Sequence, residues 1–382
     1  MTSRIALVFA AVIVALFPMP ADVIEGTYST GAYPPLQRWL TALSNKTFFA
    51  LLDGLIIVVV VFWLLLLLAD IRSRKDAGYL WVVREAAART VTLAAGLYLV
   101  FMAMWGLHYR REPLHAKLGF DRDRVTPVAQ ADLVALAVAE LNRLYRPDRN
   151  PIVGPPTDRQ PIDPSLAFAF EEAQRQIGVA PLATPGRPKR SLLLDWYFGR
   201  ASVDGMTDPY FLETIVMSRL LPVEQPMIVA HEWAHLSGYA DEGEANFVGW
   251  LTCLRGSNDV RYSGWLFLYA EAIAGLAPDD QVRVAAQLGP GPRADLSAIR
   301  ARVMTSASPA ISAAGWTAYD RYLKMNRVER GTESYADVIR LILGTPVGAR
   351  AIATRPGQPV PAAGDVNRNG RRVRRPASEA GR

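Results

Sequence analysis

The chain has 382 residues, enough for one or two domains, and a formal net charge of +6. Hydrophobic residues make up 51% of it and the mean hydropathy is +0.11, so membrane segments are expected. Much of the positive charge lies in the predicted tail from about residue 352, and its last 16 residues, 367–382, hold six arginines against one glutamate. A tail of this composition is expected to be disordered and solvated, and no nucleic-acid partner is expected. The single cysteine, Cys253, excludes an intrachain disulfide and a cysteine-rich zinc site.

Three apolar runs make residues 1–107 a predicted membrane region. They lie at about 5–20, 49–69 and 91–107. The second run is long enough to span a bilayer and nearly free of charge. The first is short and also fits a signal peptide, but prolines stand where cleavage would occur, so an uncleaved anchor is favoured.

Basic residues between the runs predict the orientation of the chain. The connection between the second and third runs carries five of them: Arg72, Arg74, Lys75, Arg84 and Arg89. The connection before it carries only Arg38 and Lys46. Because basic loops stay inside, everything after residue 108 is predicted to lie outside the cytoplasm. An alternative, in which residues 79–101 form one tilted interfacial helix, would weaken this prediction.

Asp53 is an acid near the start of the second apolar run. It lies in Leu-Asp-Gly, a tripeptide that supplies a metal ligand in intramembrane zinc proteases. In those proteases the aspartate follows the HExxH helix, whereas Asp53 precedes the HExxH motif of this chain. A catalytic role is therefore not expected, and Asp53 is close enough to the end of the run to reach the interface.

Residues 108–351 are predicted to form a mainly helical domain with a small sheet. Thr126 is a candidate N-cap in front of Pro127. Strands are predicted at about 191–199 and 211–218. A proline-rich loop is predicted at 146–162, and helices are predicted at 126–145, 163–178, 223–237, 241–254, 259–276, 279–287, 294–304, 314–325 and 334–344.

Residues 231–235 read HEWAH, the HExxH pattern of zinc hydrolases. On a helix, His231 and His235 lie one turn apart on one face, which suits two positions around one Zn²⁺. Glu232 is placed to take a proton from water at the metal. Gly238 is a natural end for this helix. The motif therefore predicts a zinc site with Glu232 as general base.

Three acids compete to be the third ligand. Asp241 fits HExxHxxGxxD, the metzincin pattern with aspartate in place of histidine, but no convincing methionine turn follows. A second helix from about residue 240 favours Glu242, with Asn246 one turn behind it to hydrogen-bond the site. Glu244 is the alternative, and it points about 200° away from Glu242, so the two do not easily share one metal.

The stretch HEWAHLSGYADEGEANF resembles a bacterial family of membrane-anchored HExxH proteins, a domain of unknown function with the approximate pattern HExAHxxGFxxExEANF. Further matches are YSTGAYPPLQRWLTALS, RYSGW and YDRYLKMNRVERGTESYADVIRLIL. The resemblance covers most of residues 1–345. It matches Glu242 and Glu244 but not Asp241. The wider similarity is to gluzincin peptidases, which implies a zincin-like α+β fold at the bacterial inner membrane.

By this resemblance the chain is expected to be a membrane-anchored zinc metallopeptidase acting on a peptide or protein substrate. His231, His235 and Glu242 would hold Zn²⁺. Tyr262 is the first candidate for an oxyanion donor and Tyr239 the second. The run LETIVMS is predicted as an edge strand that pairs with substrate.

Two other functions stay open at this point. One is a membrane sensor or scaffold with a structural or regulatory zinc site. The other is a hydrolase of peptidoglycan peptides, because the domain is predicted to face that compartment. His108 and His115 follow the third apolar run and are expected to be ordinary interfacial residues rather than metal ligands.

Overall fold

The computed structural model of the chain describes residues 2–73, 78–147, 163–326 and 337–353. These residues are mainly helical, with one three-stranded sheet. The predicted loop at 146–162 and the predicted tail lie almost wholly outside the described residues. The helix that precedes the tail runs to Ala353.

The N-terminal region consists of long helices. Helix α1 is Thr2–Leu16, and the chain then bends by 109° into a second helical stretch made of α2 (Ala21–Val23), a π-helical segment (Ile24–Ala32) and α3 (Tyr33–Ser44). Helices α4 (Leu51–Ser73) and α5 (Tyr79–Met104) follow.

Two of these helices are long and apolar enough to cross a membrane. They are Leu51–Arg72 and Tyr79–Met104, with mean hydropathies of 3.0 and 1.5. The second predicted span therefore corresponds to a helix that is a candidate span, with shifted bounds. The third predicted span lies within one continuous helix that begins at Tyr79. Helix α1 has 15 residues, short of the roughly 20 that a span needs.

The basic residues used to predict orientation are not all in a loop. Arg89 lies inside α5, where it pairs with Asp70 at 2.7 Å and with Glu85 at 3.2 Å. Arg4 of α1 pairs with the same Glu85 at 2.6 Å. Because acidic side chains neutralise Arg89 inside the helices, it contributes little to the positive charge from which the orientation was predicted. Arg74 is among the residues the structure does not describe.

After α5 the chain builds the predicted domain. A 3₁₀ turn at Gly106–Arg110 leads to the remaining helices. These are α6 (Leu114–Lys117), α7 (Pro127–Leu144), α8 (Pro164–Gln176), α9 (Asp195–Ala201), α10 (Gln225–Leu236), α11 (Glu242–Cys253), α12 (Asn258–Ile273), α13 (Pro278–Ala285), α14 (Pro290–Ser306), α15 (Pro309–Met325), α16 (Asp337–Gly344) and α17 (Pro346–Ala353). The strands are β1 (Pro188–Lys189), β2 (Gly205–Asp208) and β3 (Glu213–Val216).

The predicted strand at 191–199 is wrong, because most of that run is helix α9. The apolar run concealed a helical period, in which Phe198 and Ala201 are buried while Trp196 faces outward. Asp195 begins the helix and its carboxylate accepts hydrogen bonds from the N–H and hydroxyl of Ser218, at 2.8 and 2.7 Å. The predicted strand at 211–218 is confirmed in shorter form as β3.

The sheet order is β1-β3-β2, with β3 parallel to β1 and antiparallel to β2. The central strand is therefore β3, which comes from the LETIVMS run. Its prediction as an edge strand is wrong, because both of its sides are already paired. Strand β2, which the sequence did not predict, is at an edge of the described sheet.

The sheet is joined to the N-terminal region by a buried ion pair. Lys189 of β1 pairs with Glu213 of β3, and the side chains of both are almost fully buried. The ammonium of Lys189 also donates to the carbonyl of Ser44, at 2.8 Å, and Glu213 accepts from the backbone N–H of Leu52 at 3.1 Å. The ends of α3 and α4 are thereby fixed against the sheet.

Helices α10 and α11 form the centre of the buried core. Helix α11 is buried along its whole length, and α8, α12 and α16 pack around it. Core residues from the N-terminal region, such as Tyr33 and Trp105, belong to the same hydrophobic cluster. The core therefore continues across residue 107, the predicted boundary between membrane region and domain.

Candidate metal centre

Helix α10 carries HEWAH and ends where the sequence predicted, at a glycine. Gly238 has φ of 83°, a left-handed conformation that glycine adopts without strain. A Cβ at this position would also lie 2.4 Å from the ring of His108. His108 is buried against this turn and Ser29, so the structure places it in the core and outside the metal-ligating group.

The last carbonyls of α10 are satisfied by residues of the N-terminal region. Trp105 donates its indole N–H to the carbonyl of His235 at 2.9 Å, and the Tyr33 hydroxyl donates to that of Leu236 at 2.9 Å. Arg111 donates to the carbonyl of Gly238 at 2.9 Å. A helix end that is buried needs such partners, and here they set the position of the histidine-bearing turn.

Helix α11 begins at an N-cap that explains the role of Asp241. Its carboxylate accepts a hydrogen bond from the backbone N–H of Glu244 at 3.0 Å. Asp241 therefore caps the helix and is absent from the metal-ligating group. The metzincin interpretation of this position loses its support.

Glu242 is the acid that meets the two histidines. The Nε2 atoms of His231 and His235 are 3.1 Å apart, and Glu242 Oε2 lies 3.3 and 3.5 Å from them. A tetrahedral ion with ligands at about 2.0–2.2 Å separates its ligand atoms by roughly 3.3–3.6 Å. The three separations lie close to this range, and the three atoms are a candidate metal-binding triad.

Hydrogen bonds orient the ligands. His235 donates Nδ1–H to the carbonyl of Tyr239 at 2.6 Å, which turns Nε2 toward the triad. The Tyr319 hydroxyl donates to Glu242 Oε1, so Oε2 is the oxygen that faces the histidines. Oε2 has no other polar partner among the described residues. The donor set and its orientation fit Zn²⁺.

Tyr319 begins one of the stretches that resemble the family, but it was not predicted as a site residue. It lies on α15, 77 residues after Glu242, and reaches the site only through tertiary packing. Tyr262, the first candidate for an oxyanion donor, is fully buried and donates its hydroxyl to Asp295 at 2.6 Å. The structure therefore brings Tyr319 rather than Tyr262 to the ligands. Tyr239 contributes its main-chain carbonyl.

Glu244 and Asn246 occupy other positions around α11. Glu244 is buried and accepts a hydrogen bond from the backbone N–H of Leu114. Burial and the nearby charge of Asp241 raise its pKa to about 7. Asn246 is also buried, and its side-chain N–H₂ has no hydrogen-bond partner among the described residues.

Glu232 is held beside the triad by strand β2. Its Oε2 accepts a hydrogen bond from the Thr207 hydroxyl at 2.9 Å. A Cβ on Gly205 would lie 2.6 Å from Glu232 Oε1, so only glycine lets the strand approach this closely. Strand β2, at the edge of the sheet, is therefore in contact with Glu232, the predicted general base.

The charges of the site are strongly coupled. Burial disfavours the charged form of His235, but the carboxylate of Glu242 outweighs this and raises the pKa of His235 to about 9. Burial also opposes ionisation of Glu242, yet the two histidines hold its pKa far below the usual range. Burial raises the pKa of Glu232. A buried carboxylate of this kind needs a cation beside it, and a metal ion supplies one.

Asp53 has a structural role at the start of α4. Its carboxylate accepts hydrogen bonds from the Ser191 hydroxyl and, at 2.7 Å, from the backbone N–H of Leu192. It is buried and does not belong to the metal-ligating group. His115 also lies outside that group and contacts Phe120.

One family model matches the chain, over residues 28–343, and its description is "Protein of unknown function (DUF3810)". The match covers most of the chain, so the chain belongs to this family. No curated protein and no solved structure matches it significantly.

Proposed function

We propose that this member of the DUF3810 family is a membrane-anchored zinc peptidase of the gluzincin type. The observation that carries the proposal is the triangle of two Nε2 atoms and one carboxylate oxygen with Glu232 next to it. His231, His235 and Glu242 would hold Zn²⁺, which when bound acts as a Lewis acid on water and on a scissile carbonyl.

Glu232 is the proton carrier in the proposed reaction. Its carboxylate takes a proton from the attacking water and delivers it to the leaving amine. The Thr207 hydroxyl holds one of its oxygens, which fixes the carboxylate toward the triad.

Strand β2 is the proposed contact for an extended substrate. It lies at an edge of the described sheet, and its Gly205 is against the carboxylate of Glu232. An added peptide strand would therefore pass the general base. The partly exposed side chains of His231 and Tyr319 mark the side from which the site is reached.

Hydrolysis of casein or a fluorogenic peptide by the full-length zinc-loaded protein tests this function. We expect the Glu232→Gln variant to retain zinc and to lose about 10²–10⁴ in kcat, the usual contribution of a general base. Glu171→Gln, at a partly exposed position on α8, is the matched control and should retain full activity. Equal turnover by wild type and Glu232→Gln would rule out the mechanism.

A membrane sensor is the second candidate function, and one observation favours it. Trp105, at the end of α5, donates a hydrogen bond to the backbone carbonyl of His235. A displacement of α5 would therefore shift His235 and change the geometry of the proposed metal site. A sensor would bind zinc at the triad and cleave no peptide. Cleavage that depends on Glu232 would exclude this role as the sole function.

We further propose that the metal-bearing domain lies outside the cytoplasm of a bacterium, at the inner membrane. The support is the basic charge between the two long apolar helices: Arg72 lies in the last turn of α4, and Arg74 and Lys75 follow it in the sequence. A membrane-impermeant maleimide tests this with a Val282→Cys variant, because Val282 is exposed and Cys253 is buried. Labelling in intact spheroplasts is expected, and labelling only after lysis would reverse the orientation.

A further inference from the structure

An exposed apolar patch lies beside the start of α4. On the chain before α4, Phe48 and Phe49 are exposed, and α4 begins two residues later at Leu51. On the domain, Leu192 and Trp196 are 75% and 66% exposed. Leu193 is also exposed. We define these five residues as the apolar patch.

Direct contacts fix the two halves of the patch to each other. Phe49 forms a β-bridge with Arg190, and the guanidinium of Arg187 lies 4.6 Å from the ring centroid of Phe48. The backbone N–H of Leu192 donates to Asp53 in the first turn of α4. The exposed side chain of Leu192 is therefore held at the end of the helix that is best suited to cross a membrane.

Helix α3, which precedes the apolar patch in the chain, also exposes apolar side chains. Helix α3 buries Gln37, Thr41 and Ser44 against the domain. Its exposed side carries Trp39 and Leu43, which are one turn apart. A helix that buries three uncharged polar side chains and exposes a tryptophan and a leucine, beside the exposed Arg38, differs from an ordinary solvated surface helix. This arrangement suits contact with lipid.

Arginines border the patch. Arg187 covers Phe48, and Arg200 lies 5.8 Å from the ring of Trp196. Arg190 forms an ion pair with Asp195 while half of its side chain stays exposed. Tryptophan and arginine beside an apolar surface are typical of the level where acyl chains meet headgroups.

We propose that the apolar patch inserts into the lipid bilayer beside α4, in the leaflet on the domain's side, so that α9 is an interfacial membrane contact. The inference takes α4 as a membrane span. Lipid is the occupant because the patch is continuous with α4 and is bordered by cations that match anionic headgroups. It depends neither on zinc nor on catalysis.

The contact has a consequence for the candidate site. Helix α9 ends at Ala201 and β2 begins at Gly205, so three residues, 202–204, separate the patch helix from the strand beside Glu232. Insertion of Trp196 would hold this strand close to the bilayer surface. Under the proposed function, the substrates would then be chains that emerge from the membrane.

Spin labelling of the full-length protein in vesicles of phosphatidylethanolamine and phosphatidylglycerol tests the insertion. Single labels are placed with Leu192→Cys and Trp196→Cys, and the buried Cys253 stays unlabelled in the wild-type control. Matched controls are Val282→Cys and Met304→Cys, whose native side chains are 73% and 74% exposed and lie on α13 and α14.

We expect labels at 192 and 196 to collide more often with oxygen than with a water-soluble nickel chelate, and labels at 282 and 304 to show the opposite. Nickel accessibility at 192 and 196 equal to that of the controls would show a free aqueous surface and overturn the proposal. Protection from both reagents would show a protein contact, such as a second copy, and would also overturn it. Because the measurement needs no activity, failure of the proposed peptidase function leaves it interpretable.

Discussion

Glu242 and Glu244 lie two residues apart on one helix and contact different groups. Glu242 faces both histidines, while Glu244 accepts a hydrogen bond from the chain at Leu114. Helical geometry separates their directions by about 200°. Which of the two acids faces the histidines is therefore decided by its position around the helix axis.

The pair provides a matched test of the ligand assignment. We expect Glu242→Gln to lose zinc, because an amide is a poor substitute for the one carboxylate in the triad. Glu244→Gln should retain zinc, since an amide oxygen still accepts from Leu114. Zinc content by mass spectrometry of the purified variants checks this, and the reverse pattern would assign the site to Glu244.

Tyr319 is expected to position Glu242 through the hydrogen bond to Oε1. Removing such a partner typically costs 10–100-fold in metal affinity, so Tyr319→Phe should raise the zinc Kd by about that factor. Competition with a chromophoric chelator measures the Kd without any assay of activity. Tyr197→Phe, on the exposed side of α9, is the control, and equal affinity in both variants would remove Tyr319 from the site.

The residues of the HExxH motif were predictable because the pattern specifies its own geometry on a helix. The sequence also favoured Glu242, from its place on a second helix. Tyr319 and Thr207 were not predictable, because both reach the site through tertiary contacts with residues far away in the chain.

Among the elements, helices with clear signals were predicted best. Thr126 caps α7 by accepting from the backbone N–H of Ala129 at 3.1 Å, as expected. Strands β1 and β2 have two and four residues and carry no alternation of apolar and polar side chains. Sequence patterns of that length do not identify a strand. Helix α9 was missed because its buried and exposed faces are both apolar.

Strand β2 contains a titrating group that makes the stability of the fold depend on pH. Asp208 is fully buried at the end of β2 and pairs in register with Glu213. Burial raises the pKa of this carboxyl to about 7, from the usual 3.8 of an exposed aspartate. Between these values the unfolded chain is ionised while the folded chain keeps the proton, so the free energy of unfolding falls as pH rises.

We expect the Asp208→Asn variant to lose this dependence. The difference in unfolding free energy between wild type and variant should change by up to about 1.4 kcal/mol per pH unit between pH 4 and 7, with wild type favoured at the acidic end. Tm measured across this range in detergent checks the sign. A parallel pH dependence in both proteins would show that Asp208 does not titrate there.

At the scale of the whole molecule, the N-terminal region is part of the domain's core. Tyr33 and Trp105 donate hydrogen bonds to the last carbonyls of α10, and Ser44 binds the buried Lys189. These contacts were not predictable from hydropathy, which identifies apolar runs but not what their ends contact. The length and apolar character of α4 were predictable, because hydropathy does identify an apolar run.

We therefore expect residues 108–382 expressed alone to fail to fold. Without residues 1–107, Lys189 loses its Ser44 partners and the end of α10 loses two hydrogen bonds. Each buried polar group left without its hydrogen-bond partner costs about 1–3 kcal/mol. Size-exclusion chromatography and circular dichroism measure the outcome, and co-expression with residues 1–107 should rescue it. A soluble, folded fragment that binds zinc would show that the domain is independent.

The most direct test of the account is a zinc-edge anomalous difference map of the zinc-loaded protein. If His231, His235 and Glu242 hold zinc, we expect one peak within about 2.0–2.2 Å of the two Nε2 atoms and of Glu242 Oε2. Glu232 should lie outside the coordination sphere. A map with no peak between these atoms, or a peak coordinated by Glu244 or Asp241 instead of Glu242, would contradict it.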